Sequence, residues 1–394
     1  MPACYNRVQT TNNGEGMHHA ITVSEDGRHA TVVIEGVPAG LLVRVDDLEY
    51  DLGRGAGAYG MTDAAHPVPY AQFIGGLRNC RTTGAPVAVL LEFDEPVIDV
   101  ADERAVVGRS GSPDLFGALK IGSDDCRDVS LPMSAARLMG SIAAASIARE
   151  FLAVLGVDIQ SYVTSIGSAS LREEEPMVVA ALYEPLSIET SGVRCPVAQA
   201  SRLMEAEIDA ARESGDTLGG TFRIVATGLV AGLGSYLDAS GNLGSRLAAA
   251  VMSVPGVYGV QLGLGFLAAS MKGSQVRTAL SCVRGRGFAY ETNSTGGIED
   301  GITSGAPLII GGAVLPPAAM EDAPATVSMS TLEPTASLDE CVEVCSAPHT
   351  AVVAEAEAAL VLANAYLDKF GRDSMKDVHA ALDAYKERIK IATR

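Results

Sequence analysis

Apolar and polar positions alternate along His19–Val23 and again along His29–Ile34, with Glu25-Asp26-Gly27-Arg28 between them. That pattern predicts two half-buried strands joined by a tight hairpin. Ala71–Leu77 and Ala85–Phe93 read as further strands, the second a near-continuous apolar run, as do Val157–Ser165, Arg223–Val230 and Val257–Leu262. Helical spacing takes over elsewhere. Asp46 starts a short helix through Leu52, and Ser134–Leu155, after Pro132, is a long Ala-rich one. Leu243–Met252 is stopped by Pro255, and Thr350–Phe370 and Ser374–Lys390 close the chain as helices. Gly- and Ser-rich residues 284–306 and Pro- and Ala-rich residues 316–340 predict two long loops, the first placed to cover a site. Strands and helices interleave without a βαβ period, so the class is α+β. Met1–Met17 reads as a flexible polar extension, and residues 18–394, with no composition shift, as one domain.

Hydrophobic residues make up 47% of the 394, enough for a sizeable core and too many for a disordered chain. The absence of Trp and the 42 glycines point to an aliphatic interior with many tight turns. A net charge of −19 repels phosphate backbones and anionic lipid, so nucleic-acid and membrane partners are excluded. No apolar run is long and uninterrupted enough to suggest a bilayer crossing, and Met1–Met17 holds no signal-peptide pattern. Seven scattered cysteines, an odd number, read as reduced thiols; together these features imply a cytoplasmic protein.

Short motifs give little chemistry. Gly55-Ala56-Gly57-Ala58-Tyr59-Gly60 satisfies G-x-G-x-x-G, but a helix precedes it and prolines follow, the wrong context for a dinucleotide loop. Cys341, Cys345 and His349 are spaced like ligands on a helix face, yet Pro348 interrupts that helix and no fourth ligand stands nearby, so no metal site is expected. The adjacent His18-His19 pair, at the end of a polar tail, reads as solvated.

Longer stretches carry a resemblance. Val33-Ile34-Glu35-Gly36-Val37-Pro38-Ala39-Gly40, Thr82–Pro86, Gly117–Lys120, Asp124–Val129, Leu247–Pro255, Gly296–Pro307 and Ala351–Leu362 are similar, in that order, to segments of chorismate synthases. The resemblance implies a helical layer between two antiparallel sheets and a homotetramer or dimer. It also implies an FMN-dependent 1,4-elimination of phosphate from 5-enolpyruvylshikimate 3-phosphate. The flavin would lie against Gly296, Gly297, Gly301 and Ser304.

Several charged positions of that pattern differ here. The two family histidines fall on Asp26 and Ser123, and the carboxylate of the R-[HS]-D triplet on Glu343, which makes these three the catalytic candidates. Arg54, Arg81, Arg127, Ser134 and Arg137 remain as substrate-binding candidates, while other family cations fall on Gly55, Met61, Ser294 and Leu315. Each lost cation removes a charge-assisted phosphate contact of about 1.5–3 kcal/mol. The sequence therefore suggests a carbon–oxygen lyase for an unphosphorylated, shikimate-type cyclohexene carboxylate, with FMN binding weakened or lost. The alternatives are a non-catalytic relative that binds a partner and a chorismate synthase with a rearranged site.

Overall fold

Two long helices, Ala135–Val154 and Ala347–Phe370, are apolar on nearly every face, and a helix with no polar face must be covered all round. They pack against each other between two sheets. The computed structural model describes residues 16–61, 68–96, 105–109, 111–171, 183–277, 279–283, 287–318, 320, 324–336 and 343–392. One sheet has the strand order His18–Val23, His29–Glu35, Val87–Glu92 and Tyr70–Gly75. The other runs Val257–Leu262, Leu308–Val314, Gly220–Thr227, Asp158–Ile166 and Ala169–Ser170. All pairings in both are antiparallel, so the architecture is the α+β sandwich with an internal helical layer.

Alanine lets the layers approach closely. At Gly140 even a methyl group is too much, since a Cβ there would come within 2.9 Å of the Ile21 side chain on the facing strand. Val32, Ile34, Val87, Val89 and Leu91 supply one sheet's buried face, and Phe222, Ile224, Leu308 and Ile310 the other's. Each such side chain, fully buried, contributes about 1.5–3 kcal/mol.

Most predicted elements lie within two or three residues of their expected limits. The last long helix begins at Ala347 rather than Thr350, because Pro348 sits in its first turn, where a missing N–H costs nothing. The strand Leu308–Val314 and the helix Ala198–Glu213 were not expected from the pattern. The expected loop at 284–306 instead holds strands, Gly287–Tyr290 pairing with Leu280–Val283 and Ile298–Glu299 with Ile302–Thr303, while residues 284–286 lie outside the described residues. Two helical stretches, Arg127–Val154 and Ala347–Phe370, do reach membrane-spanning length and hydropathy, contrary to expectation, but they are largely buried between the sheets. Met17, assigned to the flexible extension, is buried: its N–H donates to Asn364 Oδ1 at 2.5 Å, and Asn364 Nδ2 donates back to its carbonyl at 2.8 Å. Residues 1–15 of the extension lie outside the described residues.

Candidate active site

The helix Val45–Gly55 ends against the start of Ala347–Phe370, where His349 Nδ1 meets the Gly55 carbonyl at 2.5 Å. Beyond it the chain runs across the Ser191–Arg194 turn, Tyr59 donating its N–H to the Gly192 carbonyl at 2.9 Å. Met61 then bridges to Glu343, and Val344 donates to the Gly60 carbonyl at 3.2 Å. These segments enclose a cavity of about 290 Å³ lined by Arg54, Tyr59, Glu189, Arg194 and His349. Gly55 and Gly57 of the G-x-G-x-x-G run belong to its wall, and no helix directly follows that run among the described residues.

Beneath the cavity lies a buried charge network. Arg54 Nε donates to Glu189 Oε1 at 2.9 Å, and its two Nη atoms reach Glu355 at 2.9 and 2.8 Å and Asp51 at 3.3 Å. Arg149 pairs with Glu355 and Asp51 from the other side, and Ser161 Oγ donates to Glu355 at 2.7 Å. Arg194 grips Glu189 with both Nη atoms, at 2.8 and 3.0 Å. Three guanidiniums thus face three carboxylates. Burial, and then the like charge of Arg54, pulls Arg149 down to about 10, still protonated at neutral pH. Burial alone would raise Glu189, but its pairing with Arg194 and Arg54 holds it below the usual carboxylate range. Arg194 sits at φ +56°, a left-handed conformation that costs a non-glycine residue about 1–2 kcal/mol and here aims the guanidinium at Glu189.

Glu343 is a different kind of acid. Burial raises its pKa, and the nearby His349 only partly opposes this. Of the two candidate carboxyls, Asp26 and Glu343, it alone has surroundings that raise its pKa.

The others are held in turns. Asp26 is exposed in the predicted hairpin, accepting from Ser24 Oγ and from the Arg28 N–H. Those bonds lower its pKa, the wrong direction for a proton donor. Ser123 donates to Asp128 Oδ2 at 2.5 Å and accepts from the Asp125 N–H at 3.0 Å. Arg127 is bound to Asp125 at 2.7 Å, and the exposed Arg81 donates to the Gly40 carbonyl at 2.9 Å. Arg54, expected as a substrate clamp, is instead saturated by carboxylates, although it does line the cavity.

Ser134 precedes the first turn of Ala135–Val154, its Oγ buried with no hydrogen-bond partner among the described residues. Arg137, in that turn, stands within electrostatic reach of His19 and Glu357. His19 is not solvated: burial, and then Arg137, lowers its pKa to about 4. His18 pairs with Glu35 at 2.9 Å. Cys345 is buried with its thiol pushed up to about 12, and Cys341 lies outside the described residues.

Gly296, Gly297 and Gly301 have φ values of +67°, +83° and +97°, and a Cβ on each would fall within 2.4–2.5 Å of backbone at Gly263, Pro307 and Ser235. Their small size serves the loop's own folding. Ser304 Oγ faces the Gly297 carbonyl at 3.4 Å, Ser294 is buried against Thr292, and Leu315 is half-exposed.

Sequence reasoning missed Glu189, Arg194, Arg149 and Glu355, and weighed His349 only as a metal ligand. The signal available was Arg149 and Glu355, charges set in Ala-rich helical stretches, which a buried helix tolerates only when they are paired.

The family model for chorismate synthase matches residues 20–367. A chorismate synthase from Rubrobacter xylanophilus is 36% identical over 379 positions, covering 93% of this chain and 96% of the relative. One from Geobacter sulfurreducens is also 36% identical, covering 92% and 97%. A crystal structure of chorismate synthase superimposes with a TM-score of 0.79 at 26% identity, covering 96% of this chain and 99% of that one. Matching the sandwich, its internal helices and nearly the full length, these likenesses place the chain in the chorismate synthase family.

Proposed function

We propose that this chain is a carbon–oxygen lyase of that family that acts in a secondary pathway on a cyclohexene carboxylate without a phosphate, working as a homotetramer or dimer. The observation that carries the reading is the charge balance under the cavity, where Arg54, Arg149 and Arg194 are neutralised by Asp51, Glu189 and Glu355. A dianionic phosphate entering there would find no uncompensated cation among the described residues, and its desolvation would go unpaid. A 1,4-elimination removes one ring proton and expels an oxygen leaving group, so the site needs a group that exchanges protons. Glu343 supports that role through a buried carboxyl whose pKa is raised, and a hydroxyl leaving group would depart as water once protonated.

Reduced FMN, which the family uses, supplies electron density to the carbon losing its leaving group. We read the flavin segment here as a poor fit: its glycines are closed on their own backbone and Leu315 offers the phosphate no charge. No step is assigned to it. A second, non-catalytic reading draws support from Asp26 and Ser123, both tied into turns.

Purified protein with reduced FMN and 5-enolpyruvylshikimate 3-phosphate is expected to make no chorismate. With 5-enolpyruvylshikimate or shikimate it is expected to form a conjugated cyclohexadiene, read by ultraviolet absorbance. No diene from either compound would favour the non-catalytic reading, and chorismate formation from 5-enolpyruvylshikimate 3-phosphate would overturn both.

A further inference from the structure

Seven N–H···O contacts hold the side chains of Arg54 and Arg194, and three of them end on one side chain, Glu189. The other acids of the network are inaccessible, Glu355 at 1% and Asp51 at 7% exposure, whereas Glu189 is 21% exposed at the cavity rim. It closes a five-residue helix, Pro185–Glu189, and the next residues, Thr190–Gly192, line the same cavity. Arg54 is fixed from behind by Glu355 and Asp51, and Arg194 also donates to the Ser161 carbonyl at 3.3 Å. Both guanidiniums would therefore keep their places if Glu189 left.

We propose that Glu189 is an internal occupant of a carboxylate-binding site, standing where the carboxylate of a ring-sized ligand binds once Glu189 swings out. This rests on the reading of the cavity as a substrate site and names the group that selects its substrate. With Glu189 withdrawn, Arg54 Nε and both Arg194 Nη atoms point three donors at one place. The network then holds three guanidiniums against Asp51 and Glu355, a surplus of one positive charge. One negative charge restores the balance and two overshoot it, so the site selects a monocarboxylate over a carboxylate that also bears phosphate. The fork geometry of Arg194 suits the two oxygens of a planar carboxylate, and about 290 Å³ accommodates a six-membered ring.

Isothermal titration of the full-length protein with shikimate tests this without requiring turnover, so an absent elimination reaction leaves the result readable. Glu189→Gln, its fold checked by circular dichroism, is expected to bind shikimate at least tenfold more tightly than the unmodified protein. Adding Arg194→Met should remove the gain, and shikimate 3-phosphate should bind no more tightly than shikimate. A folded Glu189→Gln protein with unchanged shikimate affinity overturns the proposal, as does tighter binding of the phosphorylated compound. If Glu189→Gln does not fold, Glu189→Asp keeps the charge but withdraws it by one methylene. It should bind shikimate at least threefold more tightly, and no gain there is equally fatal.

Discussion

Replacing Glu355 by glutamine tests the charge network directly. The carboxylate is 1% exposed and accepts from Arg54 at 2.8 and 2.9 Å, from Ser161 at 2.7 Å and from Arg149. Two guanidiniums at charge separations of roughly 4 Å each gain about 4 kcal/mol at an effective dielectric constant near 20. Against that gross gain stands the cost of desolvating the carboxylate, several kcal/mol. The amide keeps the shape and loses the charge, leaving three buried guanidiniums against two acids. The expected loss is about 3–5 kcal/mol, a large share of the roughly 5–15 kcal/mol typical of a folded protein. Urea unfolding followed by circular dichroism reads it. Combining Glu355→Gln with Arg149→Met should cost less than the sum of the two single changes, because the double variant no longer holds the surplus charge. A loss under about 1 kcal/mol for Glu355→Gln, or strict additivity, would refute the account of the network.

Three further expectations follow from particular residues. His19 titrates near 4 in the fold and near 6.5 when unfolded, so the unfolded chain takes up its proton first and stability falls as pH drops from about 7 to 4. The difference is about 3 kcal/mol, and His19→Asn should flatten that part of a urea-midpoint-against-pH curve; an unchanged slope would contradict the burial argument. FMN should bind weakly in a spectral titration and more tightly after Leu315→Lys, whereas sub-micromolar binding by the unmodified protein would contradict the reading of the flavin segment. Tyr258, Phe266 and Phe288 are largely exposed, as interface residues are in a lone chain, so sedimentation at micromolar concentration should show a dimer or tetramer rather than a monomer.

The sequence and the structure disagree most where side chains from distant segments meet. Asp26 and Ser123 were identified by position in a pattern, but position does not report the local bonds that fix a side chain in a turn. Arg54 was legible as a retained cation, yet its partners, Glu189 and Glu355, lie 135 and 301 residues away. The glycines at 296, 297 and 301 were visible as a motif, while their use against Gly263, Pro307 and Ser235 was not.

What the sequence determined by itself was most of the elements, the α+β class and the kinship. Alternation in His29–Ile34 and the Ala-rich, breaker-poor runs of the two long helices are local signals, set by the periods of strand and helix. What only the tertiary structure decided was charge. Whether Arg54 and Arg194 are free to hold a ligand depends on which carboxylates the fold brings beside them. Electrostatic pairing acts through space over a few ångströms, and spacing along the chain carries no record of it.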